Sequence, residues 1–83
     1  VELKFEWDDR KAESNRHKHG VSFEDATTVF NDSFAYIFDD EWHSVAEQRE
    51  IIIGHDPKNR LLLVCFTERQ GVIQIISARL ATN

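Results

Sequence analysis

The 83 residues hold one cysteine, one proline, three glycines and no methionine, and each shortage removes a class of explanation. With Cys65 alone, no internal disulfide can form and no cysteine-rich zinc site can be assembled. Flanked by Val64 and Phe66, it reads as a small core residue in a reducing compartment. No apolar run approaches the roughly 18 residues that cross a bilayer, and no secretory leader is recognisable. A cytoplasmic protein with no membrane partner is therefore expected. No linker, repeat or low-complexity segment divides the chain, so it reads as one domain, 1–83, burying only about 60–65% of its unfolded surface. Its four histidines include no helical i, i+4 pair and no clearly placed carboxylate companion. Neither a metal nor another cofactor is expected.

Basic charge is scarce as well. Ten Lys/Arg stand against fifteen Asp/Glu, a net charge of −5, and no basic recognition helix is visible, which argues against direct DNA binding by this chain. The deficit is uneven. Residues 1–23 hold five of each sign, residues 24–50 hold one basic and eight acidic, and residues 51–83 hold four basic and two acidic. Arg10 to His19 is locally basic. Such asymmetry suits an anionic ligand on one face and a basic partner on another.

What is present falls into clear periods. Leu3 to Trp7 alternates apolar and charged residues, as a half-buried strand does. Asp8 or Asp9 supplies an N-cap, and Arg10 to Lys18 reads as a helix closed by Gly20. Ser22 opens a second helix with Asp25 three residues on, close to a capping box. Phe23, Ala26, Thr27, Val29 and Phe30 carry its apolar stripe, and Asn31-Asp32-Ser33 stops it. Phe34 to Phe38 reads as a strand, followed by an acidic connection from Asp39. Three more strands follow: Arg49 to His55, Arg60 to Thr67, and Val72 to Arg79. Asp56-Pro57-Lys58-Asn59 and Glu68-Arg69-Gln70-Gly71 provide the turns between them.

The order β-α-α-β-β-β-β predicts an α+β fold with both helices packed on one face of an antiparallel sheet. Ile51 to Ile53, Leu61 to Phe66 and Ile73 to Ile76 are apolar at odd and even positions alike, as in strands covered on both faces. Two short helices cover one face. A dimer or a tight heteromeric complex is expected to cover the other, the alternative being a sheet curled onto itself.

Three blocks together resemble the BrnT family of ribonuclease toxins. The first is Phe5-Glu6-Trp7-Asp8, Lys11, Asn15 and Lys18-His19-Gly20-Val21-Ser22-Phe23, continuing to Ala26, Val29-Phe30 and Asp32. The second is Arg49, Ile53-Gly54 and Arg60-Leu61-Leu62. The third is Thr67-Glu68-Arg69 and Ile75-Ile76-Ser77-Ala78-Arg79, with Ala81-Thr82. The resemblance implies a compact fold similar to the RelE toxins and RNA cleavage that inhibits translation. It also implies neutralisation by a BrnA antitoxin with a ribbon-helix-helix region, through which alone DNA would be met. Two features depart from the pattern. The chain ends at Asn83, where relatives continue into a short helix rich in arginine and glutamate, so that helix reads as missing. Gln74 stands where many relatives carry a basic residue.

Metal-independent RNA cleavage needs the 2′-hydroxyl deprotonated, the crowded phosphorus stabilised by cations and the leaving 5′-oxygen protonated. Lys11, Asn15 and His19 fall at i, i+4 and i+8 on one face of the first helix. His19 suits proton transfer and Lys11 suits a phosphate. Arg69 and Arg79 end consecutive strands, and are expected to gather on one rim and hold a phosphate bidentately. Along the last strand Ile73, Ile75, Ser77 and Arg79 are expected to share a face. His19, Lys11, Arg69 and Arg79 are thus the candidate catalytic residues, with Arg49, Asn15, Lys18 and Arg60 as candidate RNA contacts.

Plainer roles stand beside these: a cation at a helix C-terminus for His19, buried backbone for Asn15, and ion pairs with Glu68 or Glu50 for the arginines. Tyr36 and Trp42 could stack on bases or simply fill a core or interface. The acidic stretch from Asp39 to Glu50 reads as a solvated loop or a contact for basic antitoxin residues. A non-catalytic module that binds a partner through its exposed sheet face is the alternative to the enzyme.

Overall fold

In the computed structural model, residues 3–40 and 48–81 are described. Trp42 and His43 fall outside them. Strand β1 (Lys4–Glu6) leads into helix α1 (Asp9–His19), then α2 (Phe23–Thr28) with a 3₁₀ turn at Val29–Asn31, then β2 (Tyr36–Asp39), β3 (Glu50–His55), β4 (Leu61–Arg69) and β5 (Val72–Leu80). This is the expected α+β order. The four strands after the helices form an antiparallel meander, and the sheet runs β1-β5-β4-β3-β2.

The sheet is mixed rather than wholly antiparallel, because β1 lies parallel to β5, with Phe5 opposite Ile73. Two helices separate β1 from the meander, so the chain can return to either edge in either direction. A three-residue strand carries no pattern that chooses between them.

The helix ends follow their local chemistry. Asp8, not Asp9, is the N-cap of α1, its Oδ1 accepting from the backbone N–H groups of Arg10 (2.8 Å) and Lys11 (3.1 Å). Gly20 closes the helix at φ 71° and donates to the Arg16 carbonyl. Ser22 Oγ accepts from the Asp25 N–H at 3.0 Å. The reciprocal half of the capping box is replaced, because Asp25 turns to Arg60, 2.8 Å away.

The core lies between the helices and one face of the sheet. Val21, Phe23, Ala26 and Val29 from the helical side are fully buried against Ile52, Leu62, Val64, Phe66, Ile73, Ile75 and Ala78. Edge-on aromatic pairs lace it together: Phe5 with Phe30, Phe30 with Phe66, and Trp7 with Phe23, at 5.2, 5.0 and 5.9 Å between ring centroids. Contacts of this kind add about 0.5–1.5 kcal/mol each beyond the area they bury.

Helix α1 contributes almost nothing apolar. Its one buried residue is Asn15. The carboxamide donates to the carbonyls of Val21 (3.0 Å) and Ala78 (2.8 Å) and accepts from the Ala78 N–H (3.1 Å). Strand β1 pairs only with Val72–Gln74, so further along β5 the Asn15 side chain takes the place of a neighbouring strand.

A second fastening holds the β3–β4 turn to α2. Arg60 donates to Asp56 through Nε (2.8 Å) and to Asp25 through a terminal nitrogen (2.8 Å), while the Arg60 N–H donates to the other Asp56 oxygen. Burial raises the Asp56 pKa, but the hydrogen bonds from the Arg60 backbone and guanidinium and the charge of that guanidinium outweigh it, leaving the carboxyl below its ordinary range.

Strand β5 contains a bulge. Cys65 faces Ser77 while Phe66 faces Ile75, so Ile76 is an extra residue. The alternation changes phase there. Ile73, Ile75 and Ala78 are buried toward the helices, and Ser77 and Arg79 turn to the opposite face. The expectation that Ile73, Ile75, Ser77 and Arg79 share one face is thereby corrected. On that opposite face Ile51, Ile53, Leu61, Leu63 and Ile76 are half-buried. Among the described residues the strongly exposed apolar side chains instead gather at β2: Phe34 at 91%, Tyr36 at 69% and Ile37 at 51%.

At Gly54 the sheet comes close to the segment that follows α2. A Cβ there would stand 2.8 Å from Val29 Cγ1 and 2.9 Å from the Ala35 Cβ. Gly54→Ala is expected to destabilise the fold by about 1–3 kcal/mol, the usual cost of overpacking. Urea denaturation with an unchanged m-value would show it as a shifted midpoint, and an unshifted midpoint would mean that the α2 end yields freely.

Candidate active site

On the face of the sheet away from the core, a pocket of about 380 Å³ opens beside the last half of β5. Its floor is Ile51, Leu63, Cys65 and Ile76, and its polar wall is His19, Asp40, Arg49, Ser77 and Arg79. Three structural features bring these groups together. Asn15 fixes α1 against Ala78, so His19, one helical turn later, comes to the edge of β5. The bulge at Ile76 sends Ser77 and Arg79 to this face. The pairing of β2 with β3 ends at Asp39 and Glu50, and beyond it the Asp40 N–H donates to the Arg49 carbonyl at 2.9 Å, setting those two residues side by side.

The electrostatics of the floor can be read at Cys65. Its thiol is pushed up to about 11, first by burial, then by the negative charge of Asp40, against the opposing pull of Arg49. The Sγ–H points to Asp40 Oδ2 at 3.7 Å. Cys65 is therefore a thiol at neutral pH and offers no thiolate nucleophile. Asp40, only 7% exposed, belongs to the pocket and not to a solvated loop. The signal for it was present in the sequence: Tyr36, Phe38 and Asp40 continue one alternation, which places Asp40 on the same face as its predecessors.

Of the candidate catalytic residues, His19 and Arg79 meet in this pocket, joined by Arg49 from the candidate RNA contacts. Arg69 does not join them. It ends β4 at the hairpin, opposite Val72, whereas Arg79 pairs with Leu63 near the other end. About 20 Å of strand, six residues of β4, separates the two positions. Arginines that end consecutive antiparallel strands stand on opposite rims, and the expectation of a shared rim is corrected on that ground. Lys11 and Lys18 are exposed on α1 and line no part of the pocket. Asn15 is committed to backbone groups. Arg60 is committed to Asp25 and Asp56.

The Arg79 guanidinium makes no ion pair among the described residues, and Arg49 does have interactions there. Chemically, the pocket offers two guanidinium groups for an anion, an imidazole and a hydroxyl.

The family model described as ribonuclease toxin, BrnT, of type II toxin–antitoxin system matches residues 7–83. Among solved structures, the chain is similar to the crystal structure of the Brucella abortus ribonuclease toxin, BrnT, with a TM-score of 0.76 and 25% identity over 99% of this chain and 100% of that one. No curated protein matches.

Proposed function

The chain belongs to the BrnT family of ribonuclease toxins of type II toxin–antitoxin systems, and from that membership we propose that it cuts RNA without a metal ion at the pocket of His19, Arg49 and Arg79. The observation that carries this reading is the meeting of one imidazole and two guanidinium groups in a single recess. In the reaction the 2′-oxygen bonds to phosphorus as the bond to the 5′-oxygen breaks. The 2′-hydroxyl loses its proton and the 5′-oxygen gains one, leaving a 2′,3′-cyclic phosphate and a 5′-hydroxyl. Arg79 and Arg49 hold the phosphate oxygens and offset the charge that builds on them. His19 carries a proton at the reaction centre.

Neutralisation by a BrnA-like ribbon-helix-helix antitoxin belongs to the same proposal, with any DNA met through that antitoxin. So do action in the cytoplasm and a dimeric or heteromeric assembly. The exposed apolar residues of β2 support the presence of a protein partner. Among the described residues no helix is long and apolar enough to cross a membrane.

The test is RNA cleavage by the purified protein in EDTA. Cyclic-phosphate ends produced at an undiminished rate are the expected result. Cleavage that returns only with added divalent ions would overturn the metal-free step. No cleavage under any condition would favour a non-catalytic module that binds its partner through the β2 side of the sheet.

A further inference from the structure

A second recess lies on the helix side of the sheet, the face opposite the His19 pocket. It is a groove of about 310 Å³ floored by Ile52, Phe66 and Ile73 from three adjacent strands, with Phe30 as one wall. Leu3 and Ile37 stand at its mouth, 49% and 51% exposed. The floor is core, and the mouth is apolar surface still open to water.

The charge around this groove has one sign. Glu50 and Glu68 line it, and Asp39 sits directly opposite Glu50 in the β2–β3 register. Like charges facing each other across strands oppose pairing. Asp39 receives a hydrogen bond from Gln48 at 3.1 Å, but none of these three carboxylates has an ion pair with a lysine or arginine among the described residues. Asp39 and Glu50 also belong to the segment 24–50, where eight acidic residues meet one basic. An apolar groove edged by unrelieved negative charge disfavours RNA and suits a polypeptide whose apolar side chains alternate with lysine or arginine.

We propose that this groove is the docking site for a basic, apolar-bearing segment of the antitoxin. Its apolar side chains enter between Leu3 and Ile37, and its cations meet Glu50, Glu68 and Asp39. The proposal rests on the chain being the toxin of a toxin–antitoxin pair, but not on how RNA is cut. It places the contact on the face of the sheet that does not carry His19, Arg49 and Arg79, so binding here requires none of those side chains.

The experiment measures affinity of the full chain for the antitoxin of the same type II system by calorimetry at two salt concentrations. The variants are the double charge reversal Glu50→Lys/Glu68→Lys and the neutral pair Glu50→Gln/Glu68→Gln. Wild-type affinity is expected to fall as salt rises. The reversal is expected to weaken binding at least about tenfold, and the neutral pair less. Folding is not at stake, since Lys at position 50 opposite Asp39 replaces a repulsion with an attraction, and a melting curve checks it. RNA cleavage by the unbound variants is expected to match the wild type. Unchanged affinity in the folded reversal variant would overturn the proposal, as would a self-associated wild type that the reversal dissociates, which would assign the groove to a second copy. Absence of RNA cleavage in the wild type would count against the catalytic reading alone and leave the binding comparison decisive.

Discussion

Arg79→Ala is expected to lower kcat/KM for RNA by about a hundredfold or more, the usual loss when one donor to a developing oxyanion is removed. Its guanidinium reaches the pocket without an ion pair among the described residues. An unspent surface charge contributes little to folding, so the melting temperature should move by no more than a degree or two. Arg79→Lys keeps the charge and loses the forked geometry, and should fall between the two. His19→Ala should lose at least about tenfold by removal of the proton carrier. Arg60→Gln provides the contrast. It breaks the bonds to Asp25 and Asp56, and should lower stability while leaving cleavage per folded molecule unchanged. Full activity in a folded Arg79→Ala protein would mean that the phosphate sits elsewhere.

The greatest loss of stability is expected from a change of one atom type. Asn15→Asp keeps the shape of the side chain but sets a carboxylate oxygen where an amide nitrogen now donates to two buried carbonyls, of Val21 and Ala78. Two acceptors lose their donor, and the buried charge keeps only the Ala78 N–H as a donor. About 3–5 kcal/mol is the expected cost, which in a domain of this size lowers the melting temperature by more than about 10 °C.

The variant should also carry a pH signature. Burial among carbonyls raises the new carboxyl's pKa in the folded state above its unfolded value. The protonated form restores one donor, so the deficit against wild type is full at neutral pH and narrows as pH falls through the raised pKa. Scanning calorimetry at pH 7 and pH 5 reads both effects. A melting point within about 3 °C of wild type would show that α1 is held by something other than this side chain.

Much of the fold was legible because its signals are periodic or local. Strands β3, β4 and β5 declare themselves by apolar runs between turn residues, and Gln70 and Gly71 adopt the positive φ values of 52° and 81° that a two-residue hairpin needs. Both helix starts follow from Asp8 and Ser22. Three things were not legible. The parallel pairing of β1 depends on where two helices deliver the chain. The bulge at Ile76 is one isoleucine among apolar neighbours, and nothing in its identity marks it as the residue left unpaired. It nonetheless decides which face Arg79 serves. The third is Asn15, whose spacing with Lys11 and His19 suggested a shared site, while its atoms serve the backbone. Helical spacing shows which residues share a stripe, but not which of them the sheet will claim.

The two sides of the sheet end differently. On one side β1 is three residues long with Lys4 and Glu6 at its ends, and beyond it a carboxamide occupies the backbone groups of Ala78. Charge, brevity and a side-chain plug are common ways of making a strand edge refuse company. On the other side, among the described residues, the outer strand presents Tyr36-Ile37-Phe38 and carries charge only at its end, Asp39. A sheet with one guarded border and one receptive border can accept a single added strand or meet its own twin, and then has no border left to offer. Growth through strand addition stops at a pair of sheets, so concentration alone should drive this protein toward a closed assembly and not toward a fibre.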